Sequence, residues 1–122
     1  MKQMLLVFFG GGAGSLCRFL LSKYLNPLFS NVYLGTFTVN ILGCFFIGIL
    51  MAMAKKEGLI SDNQTLLLAT GFCGGFTTFS TFIYENNAIL KQGDSLHFVL
   101  YTVFSIAVGL AAFGFGHWLA RG

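Results

Sequence analysis

An all-α integral membrane protein of four transmembrane helices is the fold class this sequence predicts, and three observations predict it. The 122 residues are 56% hydrophobic and only 9% charged, whereas a soluble domain averages about 25% charged residues. The apolar residues gather into four blocks, each close to the roughly 20 residues an α-helix needs to span a bilayer. Sixteen glycines and fifteen phenylalanines are present, and glycine is commoner in membrane helices than in soluble ones. Four such spans use most of the length, so residues 1–122 read as a single transmembrane domain.

The first span covers residues 4–25, from Met4 to Leu25. Its start resembles a secretory signal, but Arg18 closes the apolar run and no A-x-A cleavage pattern follows. Asn26-Pro27 then marks a turn. The second span covers residues 32–54, from Val32 to Ala54, and stops at Lys55-Lys56-Glu57-Gly58. The third covers residues 65–90 and holds Gly71-Phe72-Cys73-Gly74-Gly75-Phe76-Thr77-Thr78-Phe79-Ser80-Thr81-Phe82 in its middle. A glycine pair weakens a helix, and backbone groups freed at bilayer depth persist only where protein, ions or water satisfy them. The expectation is a third helix broken at this glycine pair, in mid-membrane, beside an ion site. Gln92-Gly93-Asp94 forms the next loop, and the fourth span covers residues 96–120.

Four crossings place both termini on one side, with Lys2, Lys55, Lys56 and Arg121. Lys23 and Lys91 lie on the other side, and Arg18 lies near it. This slight asymmetry under the positive-inside rule leaves two readings, cytoplasmic termini or a chain that inserts both ways and pairs antiparallel. Gly10 and Gly14, Gly71 and Gly75, and Ala112 and Gly116 form small-x-x-x-small pairs, which let helices approach closely. Four short helices enclose little interior, so a solute path calls for a second subunit, and a homodimer is the simplest closed assembly.

Several classes are excluded by what the sequence lacks. No basic run exceeds two residues, so nucleic-acid binding has no support. No H-E-x-x-H motif or clustered Cys/His ligand set exists, and His97 and His117 lie singly near the ends of the fourth helix. Gly10-Gly11-Gly12-Ala13-Gly14 lacks the third spaced glycine of a dinucleotide loop, since Cys17 stands there. The chain is read as no enzyme. Cys17, Cys44 and Cys73 lie in apolar spans without a C-x-x-C pair and read as small buried hydrophobes.

The polar residues inside the spans carry the functional signal. Thr36, Asn40 and Gly43 fall on one stripe of the second helix. A mid-bilayer asparagine needs partners for its amide, and either a helix–helix hydrogen bond or a permeating species can supply them. Phe79, Phe82 and Glu85 share a face of the third helix, in the company of Thr77, Thr78, Ser80 and Thr81. Ring edges carry the positive part of the aromatic quadrupole. Edge-on phenylalanines with hydroxyl and amide donors therefore coordinate an anion without a full positive charge, which suits a channel. Arg18 either snorkels to the interface or concentrates anions at a pore mouth. Glu85 is a proton-coupling acid or the partner of an arginine or lysine.

At this point the residues resemble a known family. Gly10-Gly11-Gly12-Ala13-Gly14 followed by Arg18, Gly35-Thr36-Phe37-Thr38-Val39-Asn40 followed by Gly43, and Gly71 to Phe82 are similar to the Fluc, or CrcB, fluoride channels. The match spans three of the four helices in order and spacing, and the third motif is highly specific. The resemblance implies passive fluoride export across the plasma membrane, the bacterial inner membrane, by an antiparallel dual-topology homodimer. It implies two fluoride pores and a structural sodium ion at the dimer interface. Asn40 then corresponds to the pore asparagine, and Phe79 and Phe82 to the pair flanking fluoride. Gly74 and Thr77 correspond to the residues whose backbone carbonyls hold sodium, Arg18 to the vestibule arginine, and Glu85 to the acid after the aromatic motif. A polar track on the fourth helix is also implied, for which Tyr101, Thr102 and Ser105 are available, with Gly109 following.

The chemistry of fluoride agrees with this expectation. A small, strongly hydrated anion needs several donors at once to replace its water. Asn40 offers an N–H, Thr78, Ser80 and Thr81 offer hydroxyls, and the phenylalanine edges complete the shell. The competing reading is a small proton-coupled multidrug-type transporter, also a four-helix dimer. That chemistry needs a carboxylate deep in the first helix, where this chain has only Arg18.

Overall fold

The structure, a computed structural model, describes residues 1–28, 33–56 and 58–121. Among them it is all-helical, and four segments are long and apolar enough to cross a membrane: Lys2–Leu25, Leu34–Lys55, Asp62–Lys91 and Ser95–Arg121. The first, second and fourth are single helices, α1, α2 and α6. The third is composite. It comprises α3 (Asp62–Thr65), a π-helical stretch (Leu66–Cys73), α4 (Gly74–Phe76) and α5 (Phe79–Lys91). The expected start of the second span at Val32 lies outside the described residues, as does Glu57 in the loop after it.

Local chemistry sets the ends of the third segment. Ser61 Oγ accepts the Gln64 N–H at 3.1 Å while Gln64 Oε1 accepts the Ser61 N–H at 2.9 Å, a reciprocal capping box that starts α3. After α5 the chain reverses through Gly93, whose φ of 79° favours glycine. At the ends of α2 and α6, Lys56 Nζ donates to the Ala120 carbonyl at 2.8 Å, tying the two helices together.

Helix packing divides into two close pairs, α1 against the π-helical stretch and α4, and α2 against α6. Glycines make both possible. A Cβ on Gly10 would meet the Leu67 carbonyl, one on Gly14 the Phe72 carbonyl, and one on Gly75 the Gly11 carbonyl. Between α2 and α6, Gly48 faces the Phe113 backbone and Gly116 faces Phe45. Backbones meet directly at these points, and dispersion contacts accumulate without bulky side chains between them.

The interruption of the third segment falls at a different place from the one expected. Gly74 is helical (φ −61°, ψ −38°), and Gly75 lies within α4. The extended residues are Thr77 (φ −89°, ψ 159°) and Thr78 (φ −151°, ψ 120°). Gly75 is small because Gly11 presses on it, so close approach rather than bending explains that position.

Little of this surface is covered by the protomer itself. At most 28% of the most apolar window of any span is buried. The outward faces carry large apolar side chains such as Phe8, Phe9, Leu110 and Trp118, the composition a lipid-facing or subunit-facing surface requires.

Candidate functional site

Two extended residues between helices leave backbone groups without intrahelical partners, and side chains from other helices supply them. The Asn40 amide of α2 exchanges two bonds with Thr78. The Thr78 N–H donates to Oδ1 at 2.8 Å, and Nδ2 donates to the Thr78 carbonyl at 3.1 Å. From α1, Arg18 Nε donates to the Gly75 carbonyl at 3.1 Å and Ser15 Oγ donates to the same oxygen at 3.4 Å. Thr77 closes α4 by donating from both its N–H (3.1 Å) and its hydroxyl (3.0 Å) to the Cys73 carbonyl. Thr78 opens α5, its Oγ1 accepting the Thr81 N–H at 3.2 Å. Among the described residues, the Gly74 and Thr77 carbonyls accept no hydrogen bond from a side chain or from another element.

Beside this junction lies an open groove of about 370 Å³. Asn40, Thr78, Phe79, Phe82 and Ser105 line it together, with Gly74 and Thr77 on the same wall. Its donors are partly spoken for and partly free. The Asn40 amide keeps one N–H beyond its bond to Thr78, and the Thr78 hydroxyl accepts the Thr81 N–H and shares a 3.5 Å bond with the Ser80 hydroxyl in which either can donate. Ser105 Oγ is buried with no hydrogen-bond partner among the described residues. The Phe79 and Phe82 rings stand 6.2 Å apart, tilted by 36°. They differ in environment: Phe82 is 8% exposed and Phe79 is 75% exposed.

Three residues singled out in the sequence do not line the groove. Ser80 is exposed, its hydroxyl 3.5 Å from that of Thr78. Thr81 contributes its backbone N–H to the Thr78 cap rather than a hydroxyl to the groove. Arg18 turns to the end of α4, where a cation meets the partial negative charge of a helix C-terminus.

Glu85 occupies a position that sequence reasoning resolved only in part. It is 3% exposed, and its two oxygens accept the Thr36 hydroxyl at 2.6 Å and the Tyr101 hydroxyl at 2.8 Å. Among the described residues no lysine or arginine pairs with it. A carboxyl group in a membrane span needs donors, and Thr36 shares the Asn40 stripe on α2, so a search for hydroxyls would have found half of this arrangement. Tyr101 also packs on Phe82, ring centroids 5.0 Å apart, which connects Glu85 to the groove wall. In the next position along, Asn86 Nδ2 donates to Thr102 Oγ1 at 3.2 Å, so adjacent residues of α5 bond adjacent residues of α6.

Apolar spans around a groove with uncommitted donors define a multi-pass integral membrane protein. The family described as CrcB-like protein, Camphor Resistance (CrcB), matches residues 5–117, and the chain belongs to that family. It is 48% identical to the fluoride-specific ion channel FluC of Gloeothece citriformis (strain PCC 7424) over 122 residues, 99% of this chain and 98% of that one. It is 44% identical over 124 residues to the protein of the same name from Chlorobium phaeobacteroides (strain DSM 266 / SMG 266 / 2430), covering 99% and 96%. The protein so named from Leptospira interrogans serogroup Icterohaemorrhagiae serovar copenhageni (strain Fiocruz L1-130) is 41% identical over 121 residues, covering 98% and 95%.

Proposed function

We propose that this chain is a fluoride-specific ion channel that lets fluoride leave the cell passively and so relieves its toxicity. One observation carries the reading: a single groove collects the Asn40 amide, the Thr78 and Ser105 hydroxyls and the Phe79 and Phe82 rings. Fluoride meets neutral donors and positive ring edges there, which hold it without the depth of a cationic site. Asn40 serves two ends. Its bonds to Thr78 hold the junction, and its remaining N–H points the amide's donor capacity at the anion. Selectivity follows from geometry, since a small ion gathers short hydrogen bonds that a larger halide cannot make all at once.

The groove is open in one protomer, and Phe79 is mostly exposed. A second copy, inserted antiparallel, closes it into a pore, and the two-fold symmetry of such a homodimer gives two pores. The extended Thr77–Thr78 junction then sits at mid-membrane. Gly74 and Thr77 would hold sodium through main-chain carbonyls, and two copies contribute four such oxygens on the symmetry axis. Uncharged oxygens favour a monovalent ion over calcium or magnesium, which take more or charged ligands. A sodium ion there would satisfy these otherwise unpaired carbonyl oxygens and would help hold the subunits together. The assembly lies in the plasma membrane, the bacterial inner membrane, with the bilayer as its solvent.

The proton-coupled transporter gains nothing from the site. The buried acid, Glu85, belongs to α5, and α1 holds none. The deciding experiment is efflux from fluoride-loaded liposomes, read by a fluoride electrode. Rapid fluoride release without a proton gradient, and none of chloride, is expected. A strict proton requirement or equal passage of chloride sinks the proposal.

A further inference from the structure

We propose that Cys44 and Cys73 form a two-thiol site, within the groove, for a soft thiophilic metal ion of closed d shell such as copper(I). The two cysteines come from different elements, α2 and the end of the π-helical stretch, yet both line the same groove. Both are free thiols. Packing fixes their placement. Gly43, next to Cys44, abuts the Thr77 side chain, and Thr77 in turn bonds the Cys73 carbonyl through both its N–H and its hydroxyl. The Cys44 sulfur packs against Gly109 of α6, where a Cβ would stand at an ordinary contact distance of 3.4 Å from Sγ.

Ligand chemistry decides which ion such a pair takes. Thiolates select soft ions, while the hydroxyl and amide donors of the groove hold nothing soft. A tetrahedral zinc site needs four ligands, and among the described residues no group of three His, Cys, Asp or Glu side chains could hold a metal. Two sulfurs without a third partner suit an ion content with linear coordination. On binding, each thiol releases its proton to solvent and two sulfur–metal bonds form, with no change of oxidation state. The effect on transport rests on the proposed reading of the groove as the fluoride path. An ion bridging Cys44 and Cys73 stands beside Asn40, Thr77 and Phe82 and closes that path. Cys17, exposed on α1 and outside the groove, is the internal control.

Silver(I), added as the nitrate in chloride-free buffer to the full-length protein, is the probe. Wild-type protein and Cys17→Ala should lose fluoride efflux in its presence and regain it with excess dithiol. Cys44→Ala and Cys73→Ala should each keep their own untreated rate. A second measurement, independent of transport, uses dibromobimane, which fluoresces when it bridges two neighbouring thiols. Wild-type protein and Cys17→Ala should become fluorescent, and either groove variant should stay dark. Because the wild-type result needs no substitution, misfolding of a variant cannot mask it. A dark wild-type protein, or silver binding unchanged by Cys44→Ala and Cys73→Ala, overturns the site. Bridged thiols and bound silver with undiminished efflux leave the site standing and instead remove the groove from the fluoride path.

Discussion

Asn40 pairs with the backbone of Thr78 in both directions, accepting its N–H at 2.8 Å and donating to its carbonyl at 3.1 Å. A side chain on α2 thus does for one extended residue what a neighbouring strand does in a sheet. The two bonds satisfy groups that apolar surroundings would otherwise leave unpaired. They also fix the plane of the amide, so its remaining N–H has a defined direction in the groove.

Replacing Asn40 should separate these two duties. Asn40→Asp keeps an acceptor for the Thr78 N–H but sets a second oxygen against the Thr78 carbonyl and adds a charge that repels an anion. Fluoride efflux is expected to fall to background while the protein still folds. Asn40→Ala abandons both backbone groups and should cost about 1–3 kcal/mol in unfolding. Paired liposome efflux and thermal unfolding in detergent measure both. Near-normal efflux through folded Asn40→Asp would place Asn40 outside the path.

Glu85 is held by Thr36 and Tyr101, and each bond is testable alone. Thr36→Val and Tyr101→Phe each strip one donor from a buried carboxyl group and should destabilise by about 1–3 kcal/mol. Glu85→Gln should be milder, because a hydroxyl can rotate to accept from the new amide. A double-mutant cycle between Thr36→Val and Glu85→Gln, followed by unfolding, reads the coupling. Strict additivity would show that the 2.6 Å contact contributes nothing.

The four spans were legible because span length and composition answer to a simple solvent, the hydrocarbon layer. Expected and observed ends differ by a few residues, Met4 against Lys2 and Leu96 against Ser95, since fraying and caps rather than hydropathy set them. The Gly74-Gly75 pair was misplaced as the point of interruption because glycine serves both flexibility and close approach. Only the position of Gly11 across the interface distinguishes them. For Asn40 the sequence left a helix contact and an ion donor both open, and the structure gives its amide to Thr78 while sparing one N–H. Tyr101 as a partner of Glu85 was illegible, because sixteen residues and a turn separate them and only packing brings them together.

The two adjacent glycines should respond oppositely to alanine. Gly75→Ala drives a methyl group into the Gly11 backbone, which cannot yield cheaply, and should cost about 1–3 kcal/mol by overpacking. Gly74→Ala meets only Ala69 O at 3.9 Å, and a helical glycine replaced by alanine gains up to about 1 kcal/mol. Unfolding midpoints should therefore fall for the first and hold or rise for the second. Equal losses of protomer stability would refute the close-approach account of Gly75. A loss in Gly74→Ala confined to the dimer fraction would instead locate its role at the subunit contact proposed to hold sodium.

Phe79 and Phe82 offer the sharpest division between packing and function. Phe82 is 8% exposed and packs on Tyr101 at 5.0 Å, whereas Phe79 is 75% exposed in the protomer. Phe82→Ile should lower stability by about 1 kcal/mol, as expected of a hydrophobic swap that roughly conserves volume. Phe79→Ile should leave protomer unfolding unchanged. Efflux is expected to fall in both if the proposed path is right, because isoleucine removes the positive ring edge that would face the anion. Methionine at either site should recover part of the flux by filling the space with a polarisable group. The decisive comparison is Phe79→Ile at an unchanged dimer fraction, where protomer stability cannot account for a loss. Normal fluoride efflux through that variant would reduce the ring to a lipid-facing or subunit-facing side chain and leave Asn40, Thr78, Phe82 and Ser105 as the groove's claim on fluoride.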